Sequence, residues 1–319
     1  MRSAALPCLA ALLVLAPACS NEKKDTTSET SGSWLVGDDG AMYRIAASAG
    51  PELYPLDEDR DLLAIACKGL DRAWVVGEDG VLLSTADGGA RWETHAVDVD
   101  ETLRDVTATA GAVVLAVGDG GALLRSEDLG ATWTRPPTTA VDWTGVAADE
   151  AGERAFLAGA DGSIWRHEPD APLTRVRAPG PALSDISVTP AGDAIAAVGQ
   201  GGWLLTSSDG GARWEIVAPP TDRDLNAVVI AHDGATIIAV GEAGVTVHLR
   251  AGAAIVHEHL DPALHLRALH VSADGHGVAV GDAGAVLVSH DAGERWIIED
   301  LGLVDTLRGV DELEGVGHL

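Results

Sequence analysis

The sequence contains few residues of several kinds on which whole classes of protein depend. Among 319 residues there are 3 cysteines, 2 methionines, 2 tyrosines and 1 phenylalanine. Cys67 is the only cysteine that follows residue 19. With a single thiol, the body of the chain has no intramolecular disulfide, so packing must stabilise the fold.

Basic residues are also scarce. Lys and Arg total 21 against 49 Asp and Glu, which gives a net charge of −28 and a pI near 4.5. A nucleic-acid binder needs a basic surface that displaces counterions from the phosphates. The composition therefore excludes nucleic acid as a partner, whereas cations and basic proteins would be attracted.

No apolar run is long enough to cross a membrane. The longest at the N-terminus, Leu9–Leu15, follows Arg2 and precedes small residues, as in an export signal. The segment Leu15-Ala16-Pro17-Ala18-Cys19 resembles a bacterial lipoprotein processing site. We therefore expect residues 1–18 to be a signal peptide and Cys19 to carry lipid. The alternative is an ordinary cysteine after a signal peptide.

The next residues predict a tether and a location. Ser20–Ser33 is polar and cannot form a core, so residues 19–33 are interpreted as the lipidated cysteine and a flexible linker. Ser20 resembles the sorting signal of lipoproteins that proceed outward. We expect a protein of the bacterial cell envelope, at the outer membrane or in the periplasm, held to the membrane by its lipid alone.

The remaining chain, residues 34–319, is built from a repeat. A G-x-x-G element begins at seven positions, 40 to 42 residues apart: Gly37, Gly77, Gly118, Gly159, Gly199, Gly241 and Gly281. A second element, L-x-x-V, precedes the second to seventh copies and also follows the seventh; its first residues are Leu62, Leu103, Trp143, Leu183, Leu225, Leu266 and Leu307. Equal modules of this length are typical of repeat architectures.

Each repeat predicts four short antiparallel strands. L-x-x-V forms the first, the run ending in V-G the second, and the segment after a two-residue turn the third; the fourth starts at a Trp. Four strands in each of seven repeats predict an all-β, seven-bladed β-propeller. The first repeat starts at Trp34 with its second strand, and the unmatched Thr306–Asp311 should complete that blade and close the ring.

Four repeats continue into S/T-x-D-x-G-x-x-W, which matches the Asp-box of bacterial neuraminidases. The carboxylate can accept turn amides and the glycine can adopt positive φ, so we interpret the boxes as structural rather than catalytic. Their residues are Asp87 and Trp92, Asp128 and Trp133, Asp209 and Trp214, and Asp291 and Trp296.

The repeat as a whole resembles the photosystem II stability and assembly factor family, over Trp34 to Val310. Trp74–Gly80 and Ser208–Trp214 are close to its pattern. The resemblance implies a non-enzymatic scaffold that holds membrane-protein intermediates and carries an arginine-rich patch on a propeller. The acidic charge of this chain sets it apart from a photosystem role, and scaffold or partner binding is what the resemblance implies here.

An enzyme is the alternative. A sialidase needs a tyrosine nucleophile, and only Tyr43 and Tyr54 exist, both in the first repeat. A carboxylate-pair glycosidase is compatible with the many acids, but nearly every aromatic ring has a structural position in the repeat, leaving few for sugar stacking. His257-Glu258-His259 is the only metal-like cluster, and we predict neither a metal site nor a cofactor.

The propeller must present one rim formed by its second-to-third turns. Its acidic positions are Asp38, Asp39, Glu78, Asp79, Asp119, Asp161, Glu242 and Asp282, and none of the turn positions is basic. Beside the axis, the second residue of L-x-x-V is an arginine in three repeats: Arg104, Arg267 and Arg308. The acids either suit tight turns or attract a basic partner. The arginines either bind an acidic group or pair with nearby carboxylates.

From the sequence we expect a monomeric, non-catalytic envelope lipoprotein whose propeller binds one or more protein partners, basic or membrane-associated. The alternative is a carbohydrate-active propeller of the Asp-box kind, either a glycoside hydrolase or a glycan-binding protein.

Overall fold

A computed structural model describes residues 32–46, 50–217, 221–250, 253–258 and 264–313. It confirms the seven-bladed β-propeller with antiparallel blades. The signal peptide, Cys19 and the tether up to residue 31 lie outside the described residues, as does His259. Among the residues described, no helix has the length and apolar character that crossing a membrane would require.

The strands of each blade follow one another from the axis outward. From inner to outer, they are blade 1, β27 (Leu307–Leu313), β1 (Gly32–Gly37), β2 (Met42–Ala46) and β3 (Glu52–Leu53); blade 2, β4 (Leu62–Lys68), β5 (Arg72–Gly77), β6 (Leu82–Thr85) and β7 (Glu93–Thr94); blade 3, β8 (Leu103–Ala108), β9 (Val114–Gly118) and β10 (Leu123–Ser126); blade 4, β11 (Trp143–Ala148), β12 (Ala155–Gly159), β13 (Ile164–His167) and β14 (Thr174–Arg177); blade 5, β15 (Leu183–Val188), β16 (Ile195–Gly199), β17 (Trp203–Ser207) and β18 (Glu215–Val217); blade 6, β19 (Leu225–Ile230), β20 (Ile237–Gly241), β21 (Val245–Arg250) and β22 (Ala253–Glu258); blade 7, β23 (Leu266–Val271), β24 (Gly277–Gly281), β25 (Val286–Ser289) and β26 (Ile297–Glu299).

The second strands form the core. β9, β12 and β16 are buried at every residue, because each lies inside its own sheet and between two neighbouring blades. A strand covered on both faces must be apolar throughout, which explains why these strands read Ala, Val, Ile and Leu without alternation. The seven apolar clusters each join residues of adjacent blades, so burial between blades holds the ring together.

The two ends of the described chain meet in blade 1. β1 pairs with β27 in antiparallel register, with Trp34 opposite Asp311 and Leu35 opposite Val310. The predicted closure by the C-terminal strand is confirmed. β1 begins at Gly32, so the sheet includes Gly32 and Ser33, which precede Trp34.

Two local details differ from the sequence-based description. The G-x-x-G turns contain three residues rather than two: Gly37 N–H donates to the carbonyl of Ala41 at 2.9 Å, while Asp39 and Gly40 both have positive φ. The fourth strands begin after the Asp-box Trp, and in blade 3 the strand is reduced to one bridge, Arg125 to Thr134. Pro136 and Pro137 follow that bridge and have no N–H to extend it.

Candidate interaction site at the channel mouth

The seven inner strands enclose a channel with a cavity of about 340 Å³. It is lined by residues of the L-x-x-V elements and of the strand segments that follow them. Successive connections enter the inner strands beside the G-x-x-G turns: a Cβ on Gly40 would lie 2.0 Å from the carbonyl oxygen of Glu58. The turns and the channel mouth therefore share one face, which we call the turn rim.

Arg104, Arg267 and Arg308 all line the channel at this mouth. Each is held by an aspartate in the G-x-x-G turn of its own blade. Nη2 of Arg104 donates to Oδ2 of Asp119 at 2.8 Å, and Nη2 of Arg267 donates to Oδ2 of Asp282 at 3.2 Å. Arg308 pairs with Asp38, and its Nη2 lies 3.7 Å from Oδ2 of Asp61.

The same repeat position in other blades links one blade to the next. Thr144 Oγ1 donates to the carbonyl of Leu183 at 2.9 Å, and Asn226 Nδ2 donates to the carbonyl of Leu266 at 2.7 Å. The channel mouth therefore carries neutral cross-links in blades 4 and 6, and arginine–aspartate pairs in blades 1, 3 and 7. Hydrogen bonding to Asp119 raises the pKa of Arg104 above its usual value, so the guanidinium stays charged.

Other rim carboxylates have structural partners. Asp61 accepts the N–H of Asp39 at 3.0 Å, Asp142 that of Gly120 at 2.8 Å, and Asp224 that of Gly201 at 2.7 Å. In each pair the aspartate precedes an inner strand and the amide belongs to a turn of the preceding blade. These aspartates link neighbouring blades by hydrogen bonds at the channel mouth.

A further set of rim acids is turned toward solvent. Asp39, Glu78, Asp79 and Asp161 are exposed, and Glu242 is partly exposed. The three channel arginines are already paired within their own blades. Arg223, beside the turn of blade 5, is exposed, but the exposed rim acids outnumber it, so the charge that the rim offers to a partner is negative.

Two carboxylates deeper in the channel were missed from the sequence. Asp105 accepts the N–H groups of Val106 and Val146 at 2.8 and 2.7 Å, and Asp185 accepts those of Ile186 and Val228 at 2.7 and 2.8 Å. Each joins its inner strand to the next. The signal was an acid at a position where five other repeats have Ala or Gly.

Burial raises the pKa of both carboxyls by more than the hydrogen bonds from backbone amides lower it. It raises the pKa of Asp185 to about 6. Burial, and then the negative charge of Asp185, raise the pKa of Asp105 well above its usual range.

The four Asp-boxes lie at the opposite end of the third strands, on what we call the box face. Ser126 Oγ accepts the N–H of Gly130 at 2.8 Å, and Asp128 accepts the N–H of Thr132 at 2.8 Å. The boxes at Asp87, Asp209 and Asp291 repeat this pattern. Hydrogen bonds from Thr132 hold the pKa of Asp128 below its usual value.

The boxes also contact the preceding blade. A Cβ on Gly89 would lie 2.2 Å from the ring of Trp34, and Trp92 packs edge-on to the same ring at 5.5 Å. All nine tryptophans are described and none is exposed. No tryptophan is therefore presented as an open stacking platform for a sugar ring.

The remaining candidate groups have structural surroundings. Tyr43 is half-buried in the cluster between blades 7 and 1 and its hydroxyl donates to Asp305; burial and this bond raise its pKa to about 12. Burial also raises the pKa of the Cys67 thiol. His257 is exposed on β22. In the part of the chain that the structure describes, no group of three or more His, Cys, Asp or Glu is placed to hold a metal ion.

This arrangement of blades, boxes and channel matches a known family. The sequence model described as photosynthesis system II assembly factor YCF48 matches residues 44–302. The chain belongs to this family. The resemblance drawn from the repeat pattern is thereby confirmed, and the YCF48 description is that of an assembly factor rather than an enzyme.

Solved structures of YCF48 proteins have the same fold. YCF48 bound to D1 peptide superposes with a TM-score of 0.67 at 18% identity, over 82% of this chain and 89% of that chain. YCF48 from Cyanidioschyzon merolae superposes with a TM-score of 0.64 at 20% identity, over 81% of this chain and 90% of that chain. At these identities the likeness shows the fold alone.

Proposed function

We propose that this YCF48-family propeller is a non-catalytic scaffold that binds a basic segment of a protein partner at the turn rim. The observation that carries the proposal is the pairing of Arg104, Arg267 and Arg308 with aspartates of their own blades. With these three arginines paired internally, the exposed carboxylates outnumber the exposed cations at the rim and set the sign of its electrostatic potential. A lysine- or arginine-rich segment complements that surface.

A solved YCF48 protein bound to D1 peptide supports the general mode, because a propeller of this fold there accommodates a peptide. The acidic charge of the present chain supports a basic partner segment. Binding at such a rim should be fast and weakened by salt, since exposed charges are screened beyond about 8 Å at physiological ionic strength.

The experiment is capture of partners by crosslinking in cells that produce the full chain. Neutralising Asp39, Glu78, Asp79 and Glu242 to their amides should abolish capture. The matched control neutralises four exposed acids away from the rim, Glu150, Glu153, Asp170 and Glu294, and thus changes the net charge equally. Equal loss in both variants would show a net-charge effect and contradict a rim site.

The arginines provide a second arm. Replacing Arg104, Arg267 and Arg308 together by Ala frees Asp38, Asp119 and Asp282, so a basic partner should be captured at least as well as by the unaltered protein. Loss of capture in this variant would show that the arginines bind an acidic group and would overturn the assignment of a basic partner.

We also propose that the protein is an envelope lipoprotein, anchored through Cys19. The N-terminal segment of the chain supports it. β1 runs from Gly32 to the turn at Gly37, so the chain enters the propeller on the side opposite the turn rim. Metabolic labelling with palmitate should mark the wild type and Cys67→Ser but not Cys19→Ser; label retained in Cys19→Ser would contradict the anchor.

A further inference from the structure

The junction between blades 7 and 1 differs chemically from the other six. At the fifth position of the inner strands, the other blades have Ala66, Thr107, Ala147, Ser187 and Val229, none of which titrates. Blade 7 has His270 there, and β27 of blade 1 has Asp311 followed by Glu312. The junction that closes the ring is thus the one at which these positions bring histidines against carboxylates.

The contacts are short and converge on β27. Nδ1 of His270 lies 2.6 Å from Oδ1 of Asp311, and Nδ1 of His276 lies 2.8 Å from Oε1 of Glu312. Nε2 of His270 lies 3.9 Å from Oε2 of Glu312. Two histidines of blade 7 therefore hold the two consecutive acids of the closing strand.

The same acids extend the contact to β1 and to blade 2. Ser33 Oγ of β1 donates to Oε1 of Glu312 at 3.0 Å, and the N–H of Cys67 in β4 donates to Oδ2 of Asp311 at 2.6 Å. The side chains of Asp311 and Glu312 are only 20% and 15% exposed. Ion pairs shielded to this degree from water are screened less than pairs on the open surface.

We propose that this junction is a pH-sensitive latch, in which protonated His276 holds Glu312 of the closing strand β27 against blade 7 and deprotonation of His276 loosens that strand. When His276 is neutral, its charge attraction to the carboxylate of Glu312 is lost and a neutral hydrogen bond remains. β27 then opens more readily, because this weaker bond adds less to the His270–Asp311 contact and to the apolar cluster between blades 7 and 1.

The groups that face His276 favour its charged form. Glu312 on β27 and Asp274 in the same turn raise its pKa, while burial and the charge of His270 on β23 oppose the rise; the ring of His290 lies 5.4 Å away. His270 faces Asp311 and Glu312. The Cys67 thiol, whose pKa burial and these two acids raise, stays neutral.

The direction of the pH dependence follows from these shifts. A histidine with a raised pKa contributes stability that is complete below its ordinary value of about 6.5 and is lost as pH rises through its folded value. The hydrogen bond with His276 lowers the pKa of the Glu312 carboxyl despite its burial. The stability that ionised Glu312 contributes is therefore lost only at acid pH. The latch is strongest at mildly acidic pH.

The test is hydrogen exchange of the full chain, expressed as protection factors so that intrinsic rates cancel. We compare peptides from β27 with peptides from β12 of blade 4, which has no titratable side chain, at about pH 5.5 and about pH 8.5, on either side of the ordinary histidine pKa. Protection of β27 relative to β12 should fall several-fold at the higher pH. A constant ratio, or an equal loss in both strands, would overturn the latch.

Variants separate the charge from packing. His270→Gln with His276→Gln should show weak β27 protection at both pH values, whereas the control His232→Gln with His257→Gln, both exposed, should follow the wild type. If the double variant does not fold, Glu312→Gln keeps the shape and the bond from Ser33 but removes the charge, and it should flatten the pH profile. A wild-type profile in either Gln variant would overturn the proposal.

Discussion

Gly130 of blade 3 lies directly against the indole of Trp74 in blade 2. A Cβ at Gly130 would come within 2.5 Å of Nε1 of Trp74, and φ at Gly130 is +85°. Gly89 has the same relationship to Trp34, and Gly211 approaches Phe156 in the same way at 3.1 Å. A glycine is therefore needed at this Asp-box position for two reasons: the positive φ of its own turn and the close contact with the preceding blade.

Replacing Gly130 with Ala should destabilise the propeller more than the same change at Gly201. Both have positive φ, but a Cβ at Gly201 meets nothing within 4 Å. Gly201→Ala should cost about 1 kcal/mol for the left-handed backbone. Gly130→Ala should cost about 1–3 kcal/mol more, because it also overpacks the junction. Urea unfolding measures both, and equal losses would show that the indole moves aside freely.

Removing an Asp-box carboxylate should lower stability in a pH-dependent way. The pKa of Asp128 is held down by Thr132, so its contribution is complete above the ordinary value of about 3.9 and is lost as pH falls through the folded value. The gap in urea midpoint between wild type and Asp128→Ala should therefore be wide near neutral pH and narrow in acid. Asp170→Ala, at an exposed site on a connection between strands, should show little gap at any pH.

Asp185 should titrate far above an ordinary aspartate. Its burial places its pKa at about 6, while the pKa of Asp128 is lowered. Carbon NMR of the carboxyls should show the two midpoints displaced in opposite directions. Because the folded state holds the Asp185 proton more tightly than the unfolded chain, this group favours folding at low pH, and that contribution is lost as pH rises toward the folded value. A midpoint near the ordinary value would show that water reaches the carboxyl.

Deleting the closing strand should disrupt the ring. A chain ending at residue 306 lacks β27 and exposes the edge of β1, including buried Leu35 and Trp34. We expect aggregation or a strongly reduced unfolding midpoint. Removal of residues 314–319 alone keeps β27 and is the control. An unchanged midpoint in the shorter chain would show that closure contributes little.

Much of the fold was predictable because the recurring residues of the repeat have structural roles in turns and strands close to them in sequence. G-x-x-G needs glycines where φ is positive or where a backbone carbonyl approaches, as at Gly40 beside Glu58. L-x-x-V supplies the apolar side of each inner strand. The closure followed from counting the strands of the repeats. The first repeat lacks its first strand and starts at Trp34, and one extra first strand follows the seventh repeat at Leu307.

Parts of the candidate site were not predictable in the same way. The sequence left open whether Arg104, Arg267 and Arg308 were free to bind a partner. Their pairing with turn aspartates depends on the distance between an inner strand and a turn of the same blade. The Asp105 and Asp185 cross-links and the His270–Asp311 contact join residues from different blades, so no spacing along one repeat reveals them.

The sequence was enough to give the number of blades, their strand order, the strand that closes the ring and the acidic character of the turns, because each follows from the composition of the repeat and from its count along the chain. The three-dimensional arrangement was needed to show which charges remain available at the channel mouth and which titratable groups meet at the closing junction. These depend on distances between an inner strand and a turn, or between neighbouring blades, and the strength of an electrostatic contact falls with distance and with exposure to water.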